Sequence, residues 1–496
     1  MAVSKNSGNN ILAKGSKNAP KRLVIERNGT NVIAEPERKG IARDLFWPWF
    51  AANVSVLGVS FGSFFLGFGI SFAQAAFACI ISVVFSFLLV GFVSLAGKRG
   101  SAPTMILTRA SFGVKGSKVP SFLSYLVLVG WETVLCTLAV LATATVFARI
   151  GGIGATPAKI LGFLVVIVLT IGGGILGFDA IMKLQSWITF ATTVLTLGYM
   201  TLTFKHIHMH VINAVHSGSV QGFIGAIVFG IAVFGLGWTN SGADYSRYLP
   251  RTTSSRAVVG WTTLGASLAP IFLVIFGVLL AASDKNLNSK IAADPIGALT
   301  TLLPLWYLIP FAIVAILGLV GGSVLGNYSS GLALLSLGLR IPRWAAAGLD
   351  GIFMVIGTIY VVWFAANFIG PFQGFLITLS VPVAGWAGIF LADVALRKKD
   401  YREYDLYNPI GIYGSTNSKS IALLLISSIV GWGLVTNTFA SWLSWQGYLL
   451  APLRLGGKQG AWAWANLGVL AALAIGFVGY YATARSDVVR QEQNSY

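Results

Sequence analysis

Charge is scarce in this chain: only 10% of its 496 residues are charged, and 16 of them are acidic. A soluble domain carries about 25% charged residues, so the composition excludes an ordinary soluble protein. Cysteine is nearly absent, and both Cys79 and Cys136 fall within apolar runs. We therefore expect free thiols and no disulfide framework. Residues 1–43 are polar and basic without an apolar core, so no cleavable signal peptide is expected there.

What the chain has in quantity is apolar side chains, which make up 55% of the residues and give a mean hydropathy of +0.77. Runs of this kind, long enough to cross a bilayer, predict an all-α polytopic membrane protein with about twelve transmembrane helices. We number the predicted helices as spans 1 to 12. They lie near 45–70, 72–97, 120–148, 159–178, 184–204, 221–243, 257–282, 305–338, 344–366, 369–396, 420–440 and 462–484.

The net charge of +18 is distributed unevenly between the two sides of these spans. If the N-terminal tail lies inside, 27 of the 34 Lys and Arg residues fall in cytoplasmic segments. This asymmetry is the positive-inside rule, which predicts a cytoplasmic-membrane protein with both termini in the cytoplasm. The basic balance thus sets topology and indicates no nucleic-acid partner. We infer that the chain lies in a lipid bilayer and has no obligate protein partner.

Span 6 carries an interruption within the stretch from Phe229 to Pro250. Gly235, Gly237 and Gly242 surround Trp238-Thr239-Asn240 there, and each glycine costs about 1 kcal/mol in a helix relative to alanine. Backbone freed at membrane depth is tolerated where it lines a cavity or is buried in protein. The pattern therefore predicts a solute site in the middle of the membrane. The alternative is a glycine-lined packing face with an interfacial tryptophan.

Span 1 has the same kind of interruption, with Asn53 and Ser55 in apolar surroundings and Gly58 after them. Two broken spans that lie five apart predict two inverted repeats, spans 1–5 and 6–10, whose first helices are both discontinuous. The predicted organisation is a disordered cytoplasmic tail over 1–43 and a transport core over 44–410. Spans 11 and 12 follow over 411–484, and a cytoplasmic tail over 485–496.

Glu132 is the acidic residue that the predicted spans place at mid-membrane, whereas others, such as Asp350, fall near span ends. A carboxylate at that depth is costly and therefore indicates function. It can couple a proton or accept substrate N–H groups. The alternative is a neutral glutamic acid that is hydrogen-bonded to a neighbouring helix.

Span 8 places Ser323 and Asn327 on one helix face at i, i+4 spacing. Asn327 can form a bidentate hydrogen bond to a flat heterocycle, and Ser323 can ligate a cation. The alternative is hydrogen bonding between helices.

We interpret Asp244 and Arg247, after span 6, as an interfacial latch. The chain has no phosphate loop, nucleophile elbow or paired-histidine metal motif, so we expect no enzyme.

Three blocks of sequence stand out together. They are Pro103-Thr104-Met105 with Arg109-Ala110-Ser111-Phe112-Gly113-Val114-Lys115-Gly116; Gly237-Trp238 followed by Asp244-Tyr245-Ser246-Arg247-Tyr248; and Asn327-Tyr328-Ser329. These blocks resemble the nucleobase:cation symporter-1 family, and its purine/cytosine permease branch in particular. The likeness covers about residues 40–410.

The resemblance implies a leucine-transporter-like fold, with ten core spans in two inverted repeats plus two more, working by alternating access. It implies a base held between the indoles of Trp131 and Trp238, with Asn327 on its edge. The residues assigned to the substrate site are Asn53, Trp131, Glu132, Gly237, Trp238, Thr239 and Asn327. In sodium-coupled relatives the ion lies between the span 1 break and span 8, which here is near Val56 and Ser323. Leu135 replaces an amide of several relatives, and Glu132 stands beside the tryptophan.

We therefore predict a symporter that imports a purine or cytosine-like base with a cation, a proton rather than sodium, and without a cofactor. Glu132, Ser323 and Val56 are the candidate coupling residues. The alternative is a sodium-coupled permease for allantoin, hydantoin or a vitamin-type heterocycle. A channel, a membrane receptor and a membrane enzyme are the other classes considered.

Overall fold

The structure is a computed structural model that describes residues 29–493, apart from 152, 177, 366–368 and 440. The described residues form helices, turns and irregular connections. The helices of the twelve predicted spans run over Phe46–Asn53 with Leu57–Leu66, Phe72–Gly100, Lys118–Ile150, Ala155–Leu176, Phe178–Thr203, Val220–Ser246, Ser255–Ser283, Leu305–Ser336, Arg343–Ile359 with Tyr360–Phe364, Ile369–Leu396, Ser418–Gly433 and Gly468–Gln493.

In the part of the chain that is described, 10 helices are long and apolar enough to cross a membrane, and counting the bent pair of span 1 raises the number to 11. Span 11 is the exception, because Ser418–Gly433 has 16 residues and a transmembrane helix needs about 20. The all-α class is confirmed, whereas the count of about twelve is not. Between spans 11 and 12 the chain is irregular, with short 3₁₀ turns at Ser441–Leu443 and Gly457–Gln459.

Span 1 is broken as the sequence predicts. Its two halves, Ala42–Asn53 and Leu57–Leu66, meet at an angle of 68°, and Val54 leaves the helical region at φ −81° and ψ 83°. The N–H of Val54 still reaches the Phe50 carbonyl at 2.9 Å. The Ser55 hydroxyl accepts the N–H of Leu57 at 3.3 Å. The break is therefore a sharp corner whose first and last groups are hydrogen-bonded.

Span 6 differs from its prediction, since it runs through Val220–Ser246 as one span. Its irregularity is a π turn over Ala232–Leu236 and a 3₁₀ turn over Thr239–Ser241. The glycines of span 6 are accounted for by close helix packing, which does not require an extended break in the helix. A Cβ on Gly235 would lie 2.3 Å from the main chain of Ser86, and the N–H of Gly235 donates to the Ser86 hydroxyl at 3.0 Å. Gly235 therefore serves close packing with span 2.

The spans pack in two groups, and corresponding spans of the two predicted repeats contact each other. Spans 1, 2, 6 and 7 form one group, and spans 3, 4, 8 and 9 form the other, with span 5 against span 8. Span 2 packs on span 7, span 3 on span 8 and span 4 on span 9. Such pairing is expected when two inverted repeats surround a pseudo-two-fold axis.

Residues 29–45 form what we call the N-terminal strap, which lies across the ends of the spans. Ile33 donates its N–H to Ser101 O at 2.9 Å, and Lys39 donates its N–H to Tyr248 O at 2.9 Å. Arg38 contacts Glu403 at 3.1 Å. The prediction of a disordered tail is therefore wrong for residues 29–43, and residues 1–28 lie outside the described part of the chain.

The other end of the chain is also packed on the body. Span 12 continues as helix to Gln493, past the predicted end of the span at 484. The Glu492 carboxylate accepts the main-chain N–H groups of Lys398 and Lys399 at 2.8 and 2.9 Å. Residues 485–493, within the predicted C-terminal tail over 485–496, thus form a helical extension that is packed on the body. Residues 494–496 are not described.

The contact between spans 1 and 7 requires glycine. A Cβ on Gly277 would lie 1.8 Å from Val59 O, whereas one on Gly260, in the same helix, meets nothing within 4 Å. We expect Gly277→Ala to cost at least about 1–3 kcal/mol, because main-chain atoms cannot yield as side chains do. The melting temperature in detergent should fall, whereas Gly260→Ala should not lower it, because alanine is favoured over glycine by about 1 kcal/mol in a helix where it has space. Equal stability of the two variants would contradict this packing.

The strap depends on Glu403, which also pairs with Arg251. Hydrogen bonds to charged groups contribute about 1.5–3 kcal/mol, so we expect Glu403→Ala to speed amide exchange of residues 33–39 roughly tenfold or more. Hydrogen exchange followed by mass spectrometry measures this. Asp487→Ala, which removes a pair with Lys419 and Arg490, should not alter the strap. Unchanged protection in Glu403→Ala would show that the carboxylate does not hold the strap.

Candidate functional site

A cavity lies at the corner of span 1, between spans 3, 6, 7 and 8. Its volume is about 80 Å³ for the centres of water-sized spheres, and one enclosed water needs roughly 10–15 Å³ on that measure. We call it the central cavity. It is lined by Ala52, Asn53, Ser55, Leu57, Gly58, Phe61, Leu128, Trp131, Glu132, Leu135, Val233, Phe234, Gly237, Trp238, Pro270, Gly318, Gly322 and Gly326.

Two indoles stand on the wall of the central cavity, and both are half-buried. The Trp238 ring meets that of Trp49 edge-on, with centroids 5.8 Å apart. Trp131 is held from behind by Phe372, at 5.7 Å and 71°. A Cβ on Gly237 would lie 2.9 Å from Trp131 Nε1. The absence of a side chain at Gly237 therefore keeps the space in front of Trp131 open.

The predicted substrate residues Asn53, Trp131, Glu132, Gly237 and Trp238 are thus brought together on one cavity. Asn53 ends the first half of span 1, and its amide donates to Trp49 O at 2.8 Å. Glu132 is the single ionisable residue among the lining residues. A flat, neutral solute with polar edges suits such walls.

Behind the cavity wall, Glu132 meets a second carboxyl group, Asp350 of span 9. Both residues are 0% exposed, and both carboxyl groups approach the side-chain amide of Asn327. Asn327 bridges them, since its Nδ2 donates to Asp350 Oδ2 at 2.6 Å and lies 3.5 Å from Glu132 Oε2. Ser330 donates to the same Asp350 oxygen at 2.6 Å. We call Glu132 and Asp350 the carboxyl pair.

Asp350 was not predicted as a site residue, because the sequence places it near the end of a span. The structure begins span 9 at Arg343 and packs its second turn against span 8. An acid within an apolar helix needs a polar partner. Asn327 and Ser330, three residues apart on span 8, were the available signal, because they supply two polar groups on one helix face.

Four predicted site residues lie off the central cavity. Asn327 is behind its wall, with its amide committed to the carboxyl pair. The Ser323 hydroxyl faces away and contacts Cys136 Sγ at 3.3 Å. Thr239 donates to Leu236 O at 2.6 Å, and Val56 is packed in the core at 1% exposure. The predicted direct contact of Asn327 with a base is therefore not seen in this conformation.

The side of the central cavity toward the N-terminal strap is closed by aromatic rings and one arginine. Trp49 packs edge-on against Tyr245 at 5.2 Å. Arg247, 0% exposed, donates to the Tyr328 hydroxyl at 2.9 Å and to Gly29 O of the strap at 2.8 Å. Asp244 accepts the N–H and hydroxyl of Thr104, each at 2.9 Å. The predicted latch residues are thus both buried anchors of this seal.

The opposite side is closed by phenyl rings alone. Phe61 meets Phe234 at 5.4 Å, and Phe64 meets Phe229 at 6.3 Å. Phe61 and Phe64, one turn apart on span 1, join the two pairs at 6.0 Å. We call these four residues the phenyl barrier. The four rings meet through ring contacts, whereas the seal beside the strap also contains hydrogen bonds of a buried arginine.

The outer histidines do not form a metal centre in the described structure. The rings of His208 and His210 are tilted by 48° to each other, with centroids 5.9 Å apart. Among the described residues, no group of three or more His, Cys, Asp or Glu side chains is close enough to hold a metal ion.

Comparison with known proteins gives a family match over most of the chain. Residues 32–450 match the family described as permease for cytosine/purines, uracil, thiamine, allantoin. A Bacillus subtilis protein named as a candidate purine-cytosine permease, YxlA, is 24% identical over 434 residues, which is 84% of this chain and 90% of that protein. The purine-cytosine permease FCY2 of Saccharomyces cerevisiae is 25% identical over 53% of this chain and 49% of its own length.

Among solved structures, the fold is similar to that of Mhp1, a nucleobase-cation-symport-1 family transporter in a closed conformation with bromovinylhydantoin bound. The TM-score is 0.65 and the identity 18%, over 95% of this chain and 99% of that one. A Na⁺-coupled sialic acid symporter has a TM-score of 0.57 at 14% identity, over 94% of each chain. The leucine-transporter-like fold class is thereby confirmed. The chain belongs to the nucleobase:cation symporter-1 family of permeases, and it is a multi-pass membrane transporter and not an enzyme.

Proposed function

We propose that this transporter imports a neutral nucleobase, a purine or cytosine-like ring, together with a proton. It works by alternating access in the cytoplasmic membrane, with both termini inside. The single observation that carries the proposal is the central cavity, where two indoles and one member of the carboxyl pair share a wall. The family description and the names of the relatives support the substrate class.

The walls of the central cavity favour a flat ring without charge. Trp131 and Trp238 offer π-faces, and stacking of a base on an aromatic side chain contributes about 1–3 kcal/mol. Asn53, Ser55 and the main chain at the corner of span 1 offer donors and acceptors for the ring edge. No lining residue is basic, so an anionic solute would lack a counter-charge.

The carboxyl pair supports proton coupling. Two fully buried carboxyl groups that are bridged by one amide cannot both be ionised, so the pair holds at least one proton in the arrangement seen here. Tyr125 and Cys136 of span 3 are further titratable side chains that are buried on the same helix as Glu132. Because Glu132 also lines the cavity, a proton gained or lost there changes the charge of the wall that meets the substrate.

The contact of span 1 with span 8 supports a proton over sodium. This is where the resemblance places the ion of sodium-coupled relatives. Here the residues that face the corner are glycines, because a Cβ on Gly318 would lie 3.5 Å from Val54 O and one on Gly322 would lie 3.9 Å from Ala52 O. Neither supplies a side-chain oxygen, and the Ser323 hydroxyl is turned toward Cys136. Span 8 would therefore offer sodium no hydroxyl ligand at this contact.

Removing the indole of Trp238 should weaken base binding. We expect Trp238→Ala to raise the Kd for labelled cytosine or hypoxanthine about 5- to 150-fold, the equivalent of about 1–3 kcal/mol of stacking. Binding to purified protein measures this, with Trp306→Ala as control because Trp306 is 69% exposed. Near-normal affinity of Trp238→Ala would show that Trp238 contributes to packing and not to base binding. Competition by allantoin, hydantoin or pyridoxine, but by no nucleobase, would support the alternative substrate class.

Neutralising the carboxyl pair should separate transport from pH. Wild-type uptake should fall as external pH rises, because fewer protons are available to bind with the base. Glu132→Gln and Asp350→Asn should each flatten this dependence and abolish accumulation while retaining exchange of bound for free base. Glu403→Gln, which changes a carboxylate near the strap, should keep the wild-type profile. A pH profile that is unaltered in both pair variants, or a strict requirement for sodium, would refute the coupling scheme.

A further inference from the structure

A second and larger cavity lies beyond the phenyl barrier, on the side of the molecule opposite to the N-terminal strap. Its volume is about 560 Å³ on the same measure. We call it the vestibule. Its walls come from spans 1, 6 and 10, the helix Lys285–Ala293 and the irregular segment before span 12. They are Ser63, Phe64, Gly67, Phe68, Ser219, Gln221, Gly222, Phe229, Asn288, Ser289, Gln373, Leu376, Ile377, Phe439, Ala461, Trp464, Ala465 and Asn466.

The vestibule has many polar side chains but no ionisable residue among those that line it. The polar groups are neutral amides and hydroxyls, including Gln221, Gln373 and Asn288. They alternate with aromatic rings, of which Trp464 is 44% exposed and Phe439 37% exposed. A passage that only admits water does not need aromatic walls. Exposed rings beside neutral amides form a surface for a solute that has a flat apolar face and a polar edge.

Two of the amides are available to a ligand. Within the described part of the chain, the side chains of Gln221 and Gln373 form no hydrogen bond with protein groups. Asn288 differs, because its carboxamide oxygen accepts from Ser63. A primary amide presents both a donor and an acceptor, as the edge of a nitrogen heterocycle does, so each free amide can pair with such an edge.

One layer of rings separates the vestibule from the central cavity. Phe64 and Phe229 line the vestibule and belong to the phenyl barrier, and Phe61 lines the central cavity. Phe61 and Phe64 are 6.0 Å apart. A solute held in the vestibule therefore lies one side-chain layer from the indole site, and separation of these rings would connect the two cavities.

We propose that the vestibule is a second binding site for the transported ring, which it holds before the phenyl barrier opens. The ring stacks on Trp464 and directs its edge to Gln221 and Gln373. The absence of ionisable groups makes the vestibule select neutral solutes at the entrance. This inference rests on the proposed function for the class of the ligand and for the outward orientation of the vestibule.

Stoichiometry distinguishes one site from two. Equilibrium dialysis of the purified full-length protein with labelled cytosine, and in parallel with hypoxanthine, up to millimolar concentration should give two bound molecules per wild-type chain. Trp238→Ala should retain one, and the double variant Gln373→Ala/Trp464→Ala should retain the other. Trp442→Ala is the matched control, since Trp442 lies in the same outer segment, is 74% exposed and does not line the vestibule. It should bind two.

Uptake gives a second readout that a folding defect would not mimic. We expect the vestibule double variant to raise the KM for uptake about fivefold or more with kcat nearly unchanged, while gel filtration and melting temperature match the wild type. One bound molecule in the wild type, lost in Trp238→Ala and unaffected in the vestibule variant, would overturn this inference and leave the proposed function in place. Binding of neither base to any variant would overturn both.

Discussion

The burial of two carboxyl groups in the apolar centre of the helix bundle is the constraint on which the rest of the site depends. Moving an isolated charge into such surroundings costs far more than one domain's net stability, so the group must be neutral or well paired. Glu132 and Asp350 meet this requirement through the amide of Asn327, which lies between them. Gly326 leaves the necessary space, because a Cβ there would lie 2.9 Å from Glu132 Cγ.

The carboxyl pair also explains the position of the tryptophan beside it. Trp131 precedes Glu132 on span 3, so fixing the carboxyl group against spans 8 and 9 directs the neighbouring indole to the central cavity. Trp131 is held on its other side by Phe372 of span 10. In the proposed function, protonation and substrate stacking would be linked through adjacent residues of one helix. Symport requires such a link, a coupling free energy between two sites.

The two closed sides of the cavity are built differently. Beside the strap, the fully buried Arg247 donates hydrogen bonds to Tyr328 and to the Gly29 carbonyl. Opening that side would break these hydrogen bonds of a buried cation. The phenyl barrier has only ring contacts, each worth about 0.5–1.5 kcal/mol beyond area burial. The conformation seen here is therefore closed on both sides, by hydrogen-bonded groups beside the strap and by ring contacts toward the vestibule.

Much of this arrangement follows from local sequence, and the remainder depends on contacts between distant segments. The corner in span 1 was predictable, because Asn53, Ser55 and Gly58 interrupt an apolar run and are unfavourable in a continuous membrane helix. The course of span 6 was not, since the same glycine signal serves close approach to Ser86. Asn327 has the residue type that recognises a base, but its amide is used by Asp350, a partner 23 positions away. The strap was read as a tail because its sequence is polar, and only its fit to the ends of spans 2 and 6 makes it ordered. Residue type therefore predicts which chemistry is available, and packing decides whether it is directed to substrate, to a proton or to another helix.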